Sequence, residues 1–287
     1  MDLLCIGDVM IDVRVDAGRL THDDLHGRVL IQPGGTSANA AVWAAWDGAE
    51  VRVHGAVGAD LIGRLLAEAL RDRGVKTHLA PFADVATGTM LVVHEAGERS
   101  MVADRGANAR FRADALPGML VCGAVLVSGY LLMHEDTHET AEAALERAVS
   151  PFVAVEAASA PLVEAFGVER FFASTQRATM ILANKLEARA LTGAGGAEAA
   201  HALGERYPIA CVKLGPDGAA LMVDGELHRA PSEAIEEADP TGAGDAFDGV
   251  LMGALARGVA VDEALARACH AGALAAASLQ AWPRETA

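Results

Sequence analysis

The segment DPTGAGDAFDGV, residues 239–250, sets acids and glycines at the mouth of an apolar run. After Gly244, apolar residues recur at Ala246, Phe247, Val250, Leu251, Ala254 and Leu255. Their spacing of three and four predicts a helix beginning near Gly242, with Pro240 just ahead of it. Gly242 and Gly244 lack a β-carbon, so a ligand can approach the backbone closely. The open N–H groups of a first turn and the helix dipole make an anion site there. Asp245 lies in the same turn, and helix capping by itself would explain it. Beside a bound phosphate, however, a carboxylate repels. That conflict resolves if Asp245 faces a hydroxyl about to attack the phosphate. It then acts as general base while the glycine amides hold the charge developing on the transferred group.

Other phosphate motifs are excluded. The chain has no GxxxxGK[ST], hence no P-loop, and the GxG follows EAIEEADP rather than an apolar strand. A rival chemistry sits elsewhere: His134-Glu135-Asp136-Thr137-His138 is a literal HExxH. On a helix its imidazoles would share one face and hold Zn²⁺, with Glu135 as base of a metallopeptidase. The motif follows SGYLLM, where a helix is only starting, and Ala144 stands where a third histidine would be. Glu164 remains as a distant candidate ligand. Five-letter motifs of this kind often match by chance.

Such residues need elements to hold them. LLCIG (3–7), VRVHGAVG (51–58), AVLVSG (124–129), FVAVE (152–156), MILAN (180–184) and IACVKLG (209–215) read as buried strands. Residues 60–73, 137–148, 185–191 and 196–206 carry helical spacing between them. This alternation predicts a parallel sheet with helices on both faces. Residues 12–32 and 87–103 break the pattern as short alternating strands, the second with a hairpin at Glu95–Ala96–Gly97–Glu98. A small sheet projecting as a lid and an ordinary edge extension explain them equally well.

Composition bounds the partners. With 39 acids against 23 bases, the net charge of −16 disfavours nucleic acid and anionic membrane, which need basic patches. The cysteines at 5, 122, 211 and 269 form no CxxC pair, so a zinc ribbon or redox dithiol is not expected. Apolar surroundings make them buried free thiols, suited to a reducing cytoplasm. The start, MDLLCIGDVMIDV, has no basic region and no cleavage pattern, and acids interrupt its apolar stretch. A cytoplasmic protein with neither signal peptide nor membrane span is expected.

DPTGAGDAFDGVLMGAL resembles the C-terminal signature of the ribokinase/PfkB family of carbohydrate kinases, D-T-x-G-A-G-D. PGGTSANAAVWAAWDGAEVRVHGAVGADLIGRLLAEALRDRGV, residues 33–75, is similar to the family's first signature. ANKLEA (183–188) resembles its N-x-x-E motif, and KLGPDG (213–218) its strand-to-glycine turn near the nucleotide. The four come in family order over almost the whole chain.

The resemblance implies one α/β domain over residues 1–287: a three-layer sandwich with a mostly parallel sheet and a small β-sheet lid from segments 12–32 and 87–103. It implies transfer of the γ-phosphate of ATP to a hydroxymethyl group, with Mg²⁺. Asp245 then matches the catalytic base, and Gly242, Ala243 and Gly244 the anion hole. Asn184 and Glu187 match the pair that organises Mg²⁺, through water, and the phosphates. Asp12, Gly35 and Asn39 match positions that bond sugar hydroxyls. Lys213, Gly215 and Gly218 fall where the nucleotide lies, and His270 is assigned to that side too. Asp239 and Thr241 match a monovalent-cation (K⁺) site. On the residues alone, Asp12 reads as a solvated acid, Asn39 as a polar residue near a helix start, and Glu187 as an exposed helix acid.

Departures bear on substrate. Met10 replaces the Asn of ribokinases proper and Thr36 their Lys, so ribose is not singled out. HAGALAAASLQAWPRETA lacks the closing R-x-G-A turn, which leaves the cation site incomplete. Arg105, in VADRGAN, can reach an acidic or phosphorylated sugar, or form a surface salt bridge. Asp136 lies at the sheet edge where substrate binds. Fructose, 2-keto-3-deoxygluconate, a pentose and a nucleoside stay open. A nucleoside wants an aromatic clamp, and an aromatic content of 4% favours sugars. Exposed lid edges allow a homodimer. A noncatalytic sugar or nucleotide sensor would have lost the base or the anion hole, and both are intact here.

Overall fold

The structure is a computed structural model that describes residues 2–16, 26–95 and 98–284. Its first part runs β1 (Leu3–Ile6), β2 (Met10–Asp16), β3 (Arg28–Gly34), α1 (Thr36–Trp46), β4 (Val51–Gly58) and α2 (Leu61–Asp72). Next come β5 (Val75–Phe82), β6 (Gly88–Glu95), β7 (Glu98–Asp104), β8 (Leu120–Val121), β9 (Ala124–Val127), α3 (Gly129–Met133) and α4 (His138–Arg147). Then follow β10 (Ala148–Val149), β11 (Phe152–Glu156), α5 (Ala160–Phe166), α6 (Val168–Ser174), β12 (Met180–Asn184), α7 (Lys185–Thr192) and α8 (Gly196–Gly204). The last are β13 (Ile209–Lys213), β14 (Ala219–Val223), β15 (Glu226–Ala230), α9 (Ala243–Ala256) and α10 (Val261–Ala276).

Nine strands form the main sheet in the order β15-β14-β13-β12-β11-β9-β1-β4-β5. All neighbours are parallel except β13–β14 and β14–β15. β1 and β9 are buried along their whole length, which is why they read as continuous apolar runs. Leu3 and Cys5 face one core, shared with α1, α9 and α10; Leu4 and Ile6 face the other, shared with α4, α7 and α8. Chain order reverses at β1, and the carboxyl ends of β1, β9, β11, β12 and β13 share one edge. In open α/β sheets ligands bind at such an edge. β5, β14, β15 and α10, absent from the sequence reading, extend the sheet's two ends and its helical cover.

The two irregular stretches do meet in a separate sheet of order β3-β2-β6-β7. β2 pairs antiparallel with β3, with Asp12 opposite Gln32, and parallel with β6, with Asp12 opposite Met90. β6 and β7 pair antiparallel down to Glu95 opposite Glu98. The turn residues Ala96 and Gly97, and residues 17–25 of the first stretch, lie outside the described residues. Among the described residues, no helix is long and apolar enough to cross a membrane.

The HExxH segment is not one helix. α3 ends at Met133, His134 is extended, and α4 opens at His138 behind Thr137. The His138 ring bonds the Leu132 carbonyl through Nδ1 at 2.7 Å, and Glu135 pairs with Arg170. No cluster of three metal-ligating side chains exists among the described residues. The zinc-peptidase geometry is therefore absent among the described residues, because no single helix carries both imidazoles.

α1 and α9 cross closely beneath the sheet edge. A β-carbon built on Gly249 would stand 2.1 Å from the Ala40 carbonyl oxygen, so only glycine permits this approach. Gly249→Ala is expected to cost roughly 1–3 kcal/mol through overpacking. A urea midpoint equal to that of the unchanged protein would show that the helices do not cross this tightly.

Candidate active site

A cavity of about 860 Å³ opens along the carboxyl edge of the sheet. Thr241, Gly242, Ala243, Gly244 and Asp245 line it, and so do Asp12, Gly35, Asn39 and Arg105. Asn184, Glu187, Lys213, Gly215 and Gly218 line its other half. One continuous space thus gathers residues spread from position 12 to position 245.

α9 carries the centre of it. Gly242 caps the helix at φ +83°, a left-handed conformation that suits glycine, and no side chain bonds the first turn. The Ala243 N–H bonds the Pro240 carbonyl at 3.2 Å, and Gly242 and Gly244 line the cavity beside it, the backbone that an anion site at this helix end would use. Asp245 lies one turn in. Burial pushes its carboxyl up to about 7; the Asn39 side chain, donating through Nδ2 to Oδ2 at 2.7 Å, works against that rise. Asp248 and Asp12 raise it further and Lys213 lowers it. A carboxyl poised near neutrality can take a proton from a hydroxyl at physiological pH.

Asn39 does lie near the start of α1, as the residues alone suggest, but it is buried and both its ends are engaged. Asp12 is buried too, not a solvated acid. Burial lifts it to about 6, against the pull of Arg14. Glu187 is 3% exposed, so it is no surface acid either. It closes a capping box on α7: its Oε2 accepts from the Asn184 backbone at 2.8 Å, and Asn184 Oδ1 accepts from the Glu187 N–H at 3.0 Å.

Beneath the anion turn lies an acidic cluster around one ammonium. Lys213 Nζ sits 2.6 Å from Asp248 Oδ2, and a β-carbon on Gly244 would stand 3.4 Å from it. Burial works to discharge Lys213, but Asp248, Glu187 and Glu156 outweigh it and hold the charge. Burial lifts Glu156 well above the usual carboxylate range, and Glu187 and Asp248 upward as well. Buried Glu156 Oε2 and Asp248 Oδ1 have no hydrogen-bond partner among the described residues. One lysine for Asp248, Glu187, Glu156 and Asp245, with orphaned oxygens, fits a divalent cation. With no three converging ligands among the described residues, that ion would keep most of its waters, as Mg²⁺ does.

Glu156, Asp248 and Asp8 are not among the site residues expected from the sequence. Glu156 ends the strand FVAVE at the ligand-binding edge, a position that could have flagged it. Asp8 holds Arg105 in a fork, with Nη2 to Oδ1 at 2.9 Å and Nε to Oδ2 at 3.2 Å. Arg105 is thus neither a surface residue nor an unopposed receptor for an acidic sugar. Asp136 is exposed and outside the cavity, whereas His134, two residues earlier, lines it. His270 also lies outside, paired with Glu233 at 2.7 Å, and Glu233 reaches the lining instead.

The monovalent-cation expectation meets an arginine. Arg14 of β2 pairs with the buried Asp239 carboxylate and donates through Nη1 to the Leu279 carbonyl at 2.6 Å. Asp239 Oδ1 also accepts from the Thr241 N–H at 2.7 Å. A K⁺ ion placed here would face a guanidinium, so this donor set does not fit one.

The family model described as pfkB family carbohydrate kinase matches residues 1–283. The ribokinase of Bacillus subtilis is 30% identical over 87% of this chain and 83% of its own length. The aminoimidazole riboside kinase of Salmonella typhimurium is 31% identical over 85% of this chain and 82% of its own. Among solved structures, Vibrio cholerae fructokinase with fructose, ADP and calcium superposes with a TM-score of 0.80. It is 24% identical, covering 98% of this chain and 94% of that one.

Two consequences follow from the arginine. At equal ionic strength, K⁺ and Na⁺ should give the unchanged protein the same melting temperature. Arg14→Ala is expected to cost about 3–5 kcal/mol, since it takes the guanidinium from a buried carboxylate. K⁺ should then recover part of that loss. A K⁺-selective rise in the unchanged protein would contradict the substitution of arginine for the ion.

Proposed function

The chain belongs to the pfkB family of carbohydrate kinases, enzymes that use ATP with a divalent metal, and from that premise we propose that Asp245 is the base that activates a sugar hydroxymethyl group. The observation that carries this reading is the half-buried Asp245 carboxyl, lining the cavity at the amide end of α9, bonded by Asn39 and raised to about 7. The incoming hydroxyl lies against Asp245, with Asp12 accepting from a neighbouring sugar hydroxyl. The amides of Gly242 and Gly244, joined by that of Ala243 where it leaves the Pro240 carbonyl, receive the charge that grows on the phosphoryl oxygens. Lys213, just beneath Gly244, adds a fixed positive charge that Asp248 keeps in place. Phosphoryl transfer asks for little more than this alignment and charge stabilisation.

ATP lies along the half lined by Lys213, Gly215 and Gly218. Asn184, Glu187 and Glu156 are the residues that would hold Mg²⁺, through water. The metal supplies neutralisation of the phosphate charge. The lid supplies the roof, and closing it excludes water that would otherwise hydrolyse ATP.

The acceptor is a small neutral sugar or a sugar bearing a planar substituent. A sugar acid is disfavoured, because Asp8 already neutralises Arg105. The second form has its own support. Met10, Met90 and Met101 give the lid side an adaptable apolar lining, and Tyr130 and His134 stack at 6.5 Å in the same cavity. That pair is the aromatic surface the low aromatic content left unexpected.

The chain is also proposed to dimerise through its lid. β2 turns Asp12 and Arg14 inward and leaves Val13 and Val15 on the other face. On that face Ile31 of β3 is 62% exposed and Val102 of β7 is 63% exposed. An apolar face of this kind invites a second copy. Ile31→Asp should shift the mass measured by light scattering from dimer to monomer; a monomeric starting protein would remove the proposal.

The activity is tested by ADP release with ATP and Mg²⁺ over neutral sugars, sugar acids and ribosides. One acceptor should raise turnover, and Asp245→Asn should lower it by about 10²–10⁴-fold. With that acceptor, kcat should rise with pH through about 7 as Asp245 loses its proton. Full activity in Asp245→Asn would assign the base elsewhere.

A further inference from the structure

Asn39 is held from two sides. Its Nδ2 donates to Asp245 Oδ2 at 2.7 Å, and its Oδ1 accepts from the indole Nε1 of Trp282 at 2.9 Å. A carboxamide can lie in two orientations that exchange its oxygen and nitrogen, and an indole N–H can only donate. With a carboxylate on one side and Trp282 on the other, a single orientation satisfies both neighbours. Asn39 is 4% exposed and Trp282 8%, so water is poorly placed to stand in for either.

The segment after α10 is fixed where this requires. The Ala281 carbonyl accepts from Trp43 Nε1 at 2.8 Å, and Trp43 lies one turn beyond Asn39 on the same face of α1. The Pro283 carbonyl accepts from Arg73 Nη1 at 2.7 Å, and the Arg73 guanidinium carbon stands 5.7 Å from the Trp282 ring centroid. Backbone anchors on both sides of Trp282 leave its ring little freedom.

We propose that Trp282 is a positioning residue for Asp245: its indole N–H orients the Asn39 carboxamide so that the amide N–H, and not the carbonyl, faces the carboxylate. The functional meaning of this rests on the reading of Asp245 as the base. The other groups facing Asp245 are Asp248 on its own helix, Lys213 from β13, Asp12 from β2, Glu156 from β11 and Tyr130 from α3. None of them has a hydrogen bond to Trp282, so a change there reaches Asp245 through Asn39. Once the carboxamide is released, its carbonyl can turn toward the carboxylate and repel it. The Asp245 carboxyl then moves up from about 7 and is protonated where it needs to be charged.

The test needs no turnover, so its failure is distinct from a failure of the kinase reading. Aspartate side-chain carboxyls are labelled with ¹³C and titrated by NMR, with Asp245→Asn identifying the signal. In Trp282→Phe the midpoint should rise by about one pH unit, the size of effect that losing a hydrogen bond to a charged group produces. β-(Benzothiophen-3-yl)alanine at position 282 keeps the indole's shape without its N–H, and should give the same rise at an unchanged melting temperature. Asn39→Leu should raise the midpoint too, and adding Trp282→Phe to it should do nothing further. An unchanged Asp245 midpoint in the folded benzothiophene variant overturns the proposal.

Discussion

A partly desolvated carboxylate at the head of α9 is the constraint to which the rest of the site answers. As the proposed base, Asp245 must be desolvated enough to hold a proton near neutrality, yet charged enough to remove one from a hydroxyl. Burial alone would drive it too high. One hydrogen bond from Asn39 and the field of Lys213 bring it back to about 7. Both corrections depend on remote geometry. Asn39 arrives because Gly249 lets α1 lie against α9, and Lys213 because β13 ends beneath the anion turn.

The same tension recurs around Lys213. Four carboxyl groups share one ammonium, and two of their oxygens are left without protein partners. Such a cluster is unfavourable by itself, since unpaired buried charge is costly. It becomes reasonable as a place where a divalent cation and its waters complete the set. By contrast, the Asp239 carboxylate is already compensated, because Arg14 brings its positive charge from the lid strand β2. Electrostatic balance thus separates the acids proposed to take a cation from the acid that carries its own.

The parallel strands were legible because burial on both faces writes an uninterrupted apolar run, as in LLCI and MILA. The helix after Gly242 was legible because its apolar face repeats every three to four residues. β14 and β15 escaped notice, since antiparallel strands at a sheet end carry a weaker pattern. The break between His134 and His138 was legible in part: helical spacing runs only over 137–148 and leaves His134 outside it, whereas α3 is too short to show a period.

By itself, the sequence determined the alternating α/β order, the glycine turn before Asp245 and the motifs that mark a sugar kinase. These are local, because a strand's burial and a helix's first turn depend on neighbours within a few positions. Only the tertiary structure decided which charges meet. Glu156 and Asp248 converge on Lys213, Asp8 claims Arg105, and Trp282 reaches Asn39 across 243 positions of chain. No periodicity records such pairs. They form because strands that end at one sheet edge, and a terminal segment tied down over it, bring distant side chains within hydrogen-bonding distance.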